Sequence, residues 1–335
     1  MATPLQGFDD LTSEVIRDAE RIIRPHLAAT PQIRWPLLEA ACGNRLAIWT
    51  KHENHLPTGA FKIRGGLCYL DWLSRNHPDV TTIVAATRGN HGQSIAFASR
   101  VYGLGCRIVV PHGNSPEKNA AMKAYGAELI EHGTDFQAAL EFAEELVTAR
   151  PHSHFVPSFD WRLVSGTATA GWEFLQAVPD LDTLYVPIGL GSGICGVAAA
   201  RRALARGRFP RLVGVITEAA PAYGLSFAAG RVVSTEGVPQ TLADGVACRV
   251  PHEEALKTIL SEVDRIVTVS ENDLKRALQI HLEATHQLAE GAAALPLAAL
   301  FQEVAEGQER VGPRIGLMQS GGNLDTAVLH RVLGD

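Results

Sequence analysis

The chain is poor in lysine and in aromatic residues, and it carries no large excess of charge of either sign. Six lysines stand against 24 arginines, aromatic residues make up 6% of the sequence, and 36 acidic side chains leave a formal net charge of −6 over 335 residues. A weakly acidic surface excludes nucleic acid and anionic membrane as expected partners, because neutralising phosphates needs clustered basic side chains. The densest basic stretch, 201–211, reads as a solvated helix end and turn. Cysteine is scarce and scattered: Cys42, Cys68, Cys106, Cys195 and Cys248 form no CxxC pair and no Cys/His ligand pattern. Neither a disulfide framework nor a structural metal site is expected, and a reducing cytoplasm fits. No apolar run approaches the roughly 20 residues that span a bilayer. The first turn of sequence carries Asp9, Asp10 and Glu14 and does not read as a secretory signal.

Hydrophobic residues, by contrast, make up 46% of the chain, enough for a large core, and the length favours two lobes. Short β-branched runs recur at 46–50, 82–86, 107–110, 128–131, 183–188, 212–217, 265–269 and 314–318. Between them, at 92–102, 115–125, 134–149, 193–206 and 271–289, apolar residues return at three- and four-residue steps. This alternation predicts an α/β fold with mainly parallel sheets. The strands at 82–131 are closely spaced and predict a small domain at 71–159, set into a large domain made of 1–70 and 160–335.

In parallel sheets, ligands sit beyond the carboxyl ends of the strands, so the turns that follow strands are where chemistry is sought. Three glycine-rich turns occupy such places: Thr87-Arg88-Gly89-Asn90-His91-Gly92-Gln93, Gly189-Leu190-Gly191-Ser192-Gly193-Ile194-Cys195-Gly196, and Gln319-Ser320-Gly321-Gly322-Asn323. The second, opening a helix, has the form of a phosphate cradle: glycine lets backbone N–H groups approach an anion, and the helix dipole favours negative charge. Its spacing does not suit a nicotinamide dinucleotide, since no acidic residue follows at the expected distance. Lys62 is predicted just inside a helix with Thr58 as N-cap. Desolvation there lowers a lysine's pKa and makes the amine a nucleophile or base.

The segment Lys51-His52-Glu53-Asn54-His55-Leu56-Pro57-Thr58-Gly59-Ala60-Phe61-Lys62-Ile63-Arg64-Gly65 resembles the lysine motif of fold-type II (tryptophan synthase β-like) pyridoxal-phosphate enzymes, specifically the serine/threonine dehydratase and serine racemase group. Thr30-Pro31, the three glycine turns, Thr241-Leu242-Ala243-Asp244-Gly245 and Glu290-Gly291-Ala292-Ala293-Ala294 follow in the family's order. The resemblance implies two lobes with the active site between them and pyridoxal 5'-phosphate held by Lys62 as a Schiff base, the same lysine serving as catalytic base. It further implies Phe61 against the ring, Asn90 on the phenolic oxygen, Gly189, Gly191, Ser192 and Gly193 around the phosphate, and Ser320 facing the pyridine nitrogen. Thr87, Arg88, Gly89 and His91 would surround the substrate. A hydroxyl rather than a carboxylate beside the nitrogen weakens electron withdrawal and favours prompt β-elimination.

Three departures qualify the resemblance. Arg88 stands where the group usually has serine, the opposite-face proton donor, so racemisation is disfavoured and a bulkier substrate such as a 3-aryl-serine becomes plausible. The phosphate loop reads Gly-Leu-Gly-Ser-Gly in place of consecutive glycines. Glu218 is followed by Gly224 where an aspartate usually completes a divalent-cation cage, so no metal is expected. The expected activity is a threonine- or serine-type ammonia-lyase, working as a homodimer on a small amino acid. A racemase, a β-replacement synthase or a non-catalytic amino-acid-binding relative are the alternatives.

Overall fold

The computed structural model describes residues 5–204, 209–307 and 310–334. Among the described residues there are ten strands: β1 (Gln32–Arg34), β2 (Ala47–His52), β3 (Thr82–Ala86), β4 (Gly105–Val110), β5 (Glu128–Glu131), β6 (Ser153–Phe155), β7 (Thr183–Pro187), β8 (Arg211–Thr217), β9 (Arg265–Val269) and β10 (Arg314–Gln319). They form a six-stranded sheet in the order β1-β2-β10-β7-β8-β9 and a four-stranded sheet in the order β5-β4-β3-β6. Every pairing is parallel except β1 with β2. The central strands are covered on both faces, which is why their sequences are nearly continuous apolar runs: Leu184, Tyr185 and Val186 of β7 and Leu212, Val213, Val215 and Ile216 of β8 are all buried.

Eight of the ten strands lie where the β-branched runs predict them. The other two, β1 and β6, are three residues long and sit at sheet edges. Such short segments carry too few side chains to show a period of two. The helix expected at 193–206 runs Ser192–Ala203, and residues 205–206 of the expected span lie outside the described residues.

Strands of the four-stranded sheet come from 82–155 and those of the six-stranded sheet from 32–52 and 183–319. The domain boundary expected at residue 70 falls inside the continuous helix Lys62–Asn76. That helix buries Ile63, Leu67 and Leu70 in the same cluster as Ile83 and Ala85 of β3 and Ile95 and Ala98 of helix Asn90–Val101. A unit packed along its length offers no exposed linker at which two domains could part. Helix Lys62–Asn76 also packs against helix Trp161–Ala177, which in turn packs on helix Ser192–Ala203. Three helices thus join the two sheets and hold the lysine segment against the glycine turn after β7.

Among the described residues no helix is long and apolar enough to cross a membrane. All five cysteines are free.

Candidate active site

Four loops converge because each follows the carboxyl end of a parallel strand: β2, β3, β7 and β10. The lysine loop after β2 is pinned from both sides. Ala60 pairs with Gly321 in an isolated bridge, and the Phe61 N–H donates to the Ser320 carbonyl at 3.0 Å. Phe61, rather than Thr58, is the N-cap of the helix that begins at Lys62, and it makes no side-chain capping bond. The Thr58 hydroxyl instead donates to the Ala60 carbonyl at 3.3 Å, so it shapes the preceding turn.

Much of the charged part of the lysine motif holds the helix in place. Lys51, Glu53 and Arg64 are fully buried and meet Glu173 of helix Trp161–Ala177. Arg64 donates to Glu53 at 2.7 Å and to Glu173 at 2.9 Å, Lys51 donates to Glu173 at 2.5 Å, and the Thr30 hydroxyl donates to Glu53 at 2.6 Å. Burial opposes charge on Glu173, but Arg64 and Lys51 outweigh it and hold the carboxyl down at about 2. Each buried charge has a partner, the condition under which such a cluster is tolerated. It locks the first turn of the helix, and so the position of Lys62, to three elements at once.

Lys62 points across the cleft to the glycine turn. Its Nζ donates to Ser192 Oγ at 2.7 Å and lies 5.4 Å from the centroid of the Phe61 ring. Burial lowers its pKa to about 8, so a substantial fraction of the amine is neutral near physiological pH. Ser192 opens the helix Ser192–Ala203, whose N-cap, Gly191, is in the left-handed region at φ +107 and supplies no side-chain cap. The helix therefore offers its first N–H groups to an outside acceptor. The backbone is also close-packed: a Cβ on Gly189 would stand 2.6 Å from the Gly245 carbonyl, and one on Gly193 would stand 3.3 Å from the Phe61 ring. A pocket opens beside these groups, lined among others by Phe61, Pro187, Gly193 and Ser320. A lysine of lowered pKa, an uncapped helix N-terminus, an aromatic ring and a buried serine around one cavity fit the phosphate, the aldehyde and the ring of pyridoxal phosphate.

The loop after β3 forms the other wall. Thr87 is buried, and its Oγ accepts the Gly89 and Gly92 N–H groups at 3.0 and 3.3 Å, so its hydroxyl holds the loop's shape. His91 is buried, its Nε2 has no partner among the described residues, and burial together with the charge of Lys62 lowers its pKa to about 3. It is neutral at physiological pH. Arg88, in the same loop, is exposed and makes no ion pair with any described residue. Asn90 donates through Nδ2 to both carboxylate oxygens of Glu290 at 2.9 Å and accepts from Asn323 at 2.7 Å. Ser320 is 4% exposed, beside Phe61.

Reading of residues alone passes over Glu173, Glu290 and Lys118. Lys118 lies in helix Pro116–Ala124, stacks its aliphatic stem against Gly89 and pairs with Asp244 across the cleft. Only Glu290 stood within a family motif, and nothing about its neighbours in sequence shows that it meets Asn90, 200 positions away.

The departure at Gly224 has a packing counterpart: a Cβ there would stand 2.8 Å from Ile216 Cδ1. Glu218 is exposed, and its carboxylate accepts the Glu271 N–H at the start of helix Glu271–Thr285. With one apolar contact and one helix cap in place of two oxygen ligands, chelating divalent cations is expected to lower turnover by less than about twofold. A larger loss reversed by Mg²⁺ would contradict that expectation.

Comparison with known proteins places this arrangement. A protein-family model described as pyridoxal-phosphate dependent enzyme matches residues 23–321. The L-threonine ammonia-lyase of Thermotoga maritima is 31% identical over 96% of this chain and 78% of its own length, and that of Geobacter sulfurreducens is 34% identical over 95% and 77%. Among solved structures, a threonine deaminase of T.th. superposes with a TM-score of 0.84 at 32% identity, covering 93% of this chain and 98% of that one. Maize serine racemase superposes with a TM-score of 0.87 at 26% identity, covering 96% of each. The protein belongs to the pyridoxal-phosphate dependent enzyme family.

Proposed function

We propose that the enzyme is an ammonia-lyase for threonine and serine, converting a β-hydroxy-α-amino acid to a 2-oxo acid and ammonia. The observation that carries this reading is the placement of Lys62 Nζ 2.7 Å from Ser192 Oγ, where a nucleophilic amine meets an anion-binding helix end. Names of relatives support it: threonine ammonia-lyases and a threonine deaminase at 31 to 34% identity. When bound, pyridoxal phosphate supplies an electron sink that acidifies the substrate's α-proton.

The protein's own groups do the rest. The N–H groups around Gly189, Gly191, Ser192 and Gly193 would bind the phosphate, and Phe61 would cover the ring. Asn90 would donate to the phenolic oxygen, and the Ser320 hydroxyl would face the pyridine nitrogen. The loop of Thr87, Gly89 and His91 orients the substrate carboxylate. Lys62 would take the α-proton at its Nζ, for which a pKa lowered to about 8 is suited. The Cα–H and Cβ–O bonds break, the hydroxyl departs as water, and hydrolysis returns one water as ammonia leaves, so the atoms balance. We further propose a cytoplasmic homodimer, in which the five free thiols stay reduced.

Arg88 carries a finer proposal about substrate choice. Its exposed guanidinium is available to an aryl ring or a carboxylate on the substrate's β-carbon. Comparing kcat/KM for threonine, serine, 3-aryl-serine and 3-hydroxyaspartate tests both levels. Turnover of threonine or serine is the expected main result, and a panel without either overturns the reading. Arg88→Ser is expected to lower activity on the aryl or carboxyl substrate by about two- to fivefold relative to threonine, the scale of an exposed contact. Equal changes on every substrate would assign Arg88 to solvent.

A further inference from the structure

Asn90 has the most constrained side-chain amide in the cleft. Its Nδ2 donates to Oε1 and Oε2 of Glu290, both at 2.9 Å, while its Oδ1 accepts from Asn323 Nδ2 at 2.7 Å. The Asn323 Nδ2 also donates to the Thr58 carbonyl at 2.8 Å, and Asn323 Oδ1 lies against Gly59. An amide can in principle turn its oxygen and nitrogen either way. Here both ends are addressed by groups of one sense: a carboxylate accepts at one end, and an NH2 donates at the other. The amide orientation is therefore set from outside, by one residue from the loop after β10 and one from the start of helix Gly291–Glu306.

The surrounding chain is built to admit that carboxylate. A Cβ on Gly321 would stand 2.8 Å from Glu290 Oε1, and the Glu290 N–H donates to the Gly321 carbonyl at 3.1 Å. Glu290 is 4% exposed. The charged groups facing it are Asp244 of the segment Asp244–Val246 and Lys118 of helix Pro116–Ala124. Neither makes a direct hydrogen bond to it among the described residues. Its carboxylate is contacted by the side-chain amide of Asn90 and the backbone N–H of Asn323. A buried carboxylate whose side-chain hydrogen bonds go to a binding residue acts on the ligand through that residue.

We propose that Glu290 is a positioning residue for the cofactor: together with Asn323 it fixes the Asn90 amide so that one N–H is shared between the two Glu290 oxygens and the other is left for the phenolic oxygen of pyridoxal phosphate, and so sets the strength with which the apoprotein takes it up. This rests on the assignment of Asn90 to the phenolic oxygen made above. Burial, then the neighbouring Asp244, raise the pKa of Glu290 to about 7, while Asn90 and Lys118 act the other way. Its ionised form is thus present above neutrality and is lost as the pH falls below it.

The test is titration of pyridoxal phosphate into apoprotein, read by the visible absorbance of the bound cofactor, alongside the melting temperature of each apoprotein. Glu290→Ala is expected to weaken binding about 10- to 100-fold and to move the absorbance maximum, with the apoprotein melting temperature unchanged. Glu290→Gln keeps an acceptor oxygen toward Asn90 and is expected to stay within about threefold of wild type. Wild-type affinity and an unmoved band in Glu290→Ala would overturn the proposal. Equal weakening in both variants, in step with a lower apoprotein melting temperature, would overturn it in favour of a structural role. If Glu290→Ala does not fold, Asn323→Ala decides: weaker binding supports the proposal, and unchanged binding refutes it. Failure of wild-type apoprotein to bind pyridoxal phosphate would instead refute the assignment of the site itself.

Discussion

Lys62→Ala is expected to lose at least about 10⁴-fold in turnover while remaining folded, because one amine serves as both cofactor anchor and base. No other lysine can take its place. Lys51 is locked in the buried cluster with Glu173, and Lys118 is paired with Asp244. Lys123 and Lys257 are exposed, and Lys275 is half-buried on helix Glu271–Thr285; none of the three lies in a strand-end loop of the cleft. Removing a desolvated amine leaves no buried charge behind, so the melting temperature of the apoprotein is expected to hold or rise. The lowered pKa gives the wild-type protein a further signature. The neutral amine accumulates as the pH rises through about 8, so covalent attachment of pyridoxal phosphate to the apoprotein should quicken over that range and level off above it. A Lys62→Ala protein that retained near-normal turnover, or a borohydride-reducible cofactor adduct, would contradict the assignment.

The reach of the sequence differs between fold and site for physical reasons. Strands buried on both faces announce themselves as apolar runs, and β3, β7 and β8 lie where those runs stand. Lys62 and the glycine turns are legible because each is a local pattern set by the geometry of a strand-to-helix turn. The N-cap is less so: Thr58 has the right chemistry for a cap, but the bridge between Ala60 and Gly321 extends the loop and starts the helix three residues later. What the sequence conceals is chemistry assembled at long range. Glu173 closes the charge cluster around Arg64 from 109 positions away, and Glu290 reaches Asn90 from 200. Nothing local distinguishes either from a surface glutamate, although a motif whose Lys51, Glu53 and Arg64 carry net positive charge asks for another buried anion.

Gly191→Ala is expected to weaken pyridoxal phosphate binding by about 100-fold, with a loss of stability of about 2 to 4 kcal/mol. Two penalties coincide there. Gly191 sits at φ +107, where an L side chain is strained, and the added Cβ would stand 2.6 Å from Ala255 Cβ and 3.2 Å from Tyr223 Oη. Ala255 belongs to helix Glu253–Glu262, and the Tyr223 hydroxyl is already bonded to the Leu190 carbonyl at 2.8 Å, so neither neighbour gives way without disturbing the loop. Relief of the clash moves the N-terminus of helix Ser192–Ala203, and with it the N–H groups assigned to the phosphate and the Ser192 hydroxyl that meets Lys62. Both anchors of the cofactor shift together, which sets this position apart from Gly193, where the neighbour is one edge of the Phe61 ring. Equilibrium titration of the apoprotein measures the affinity, and chemical denaturation measures the stability. Wild-type affinity in Gly191→Ala would show that the phosphate is held elsewhere.

The central claim is that this cleft eliminates the β-hydroxyl of a small amino acid, and the stoichiometry of products tests it most directly. Purified enzyme saturated with pyridoxal phosphate is given L-threonine and, separately, L-serine, and ammonia, 2-oxo acid and the D-amino acid are quantified in the same samples. Equimolar ammonia and 2-oxo acid, with little D-isomer, is the predicted result. Accumulation of the D-amino acid without ammonia, or no consumption of either substrate by cofactor-loaded protein, would contradict it.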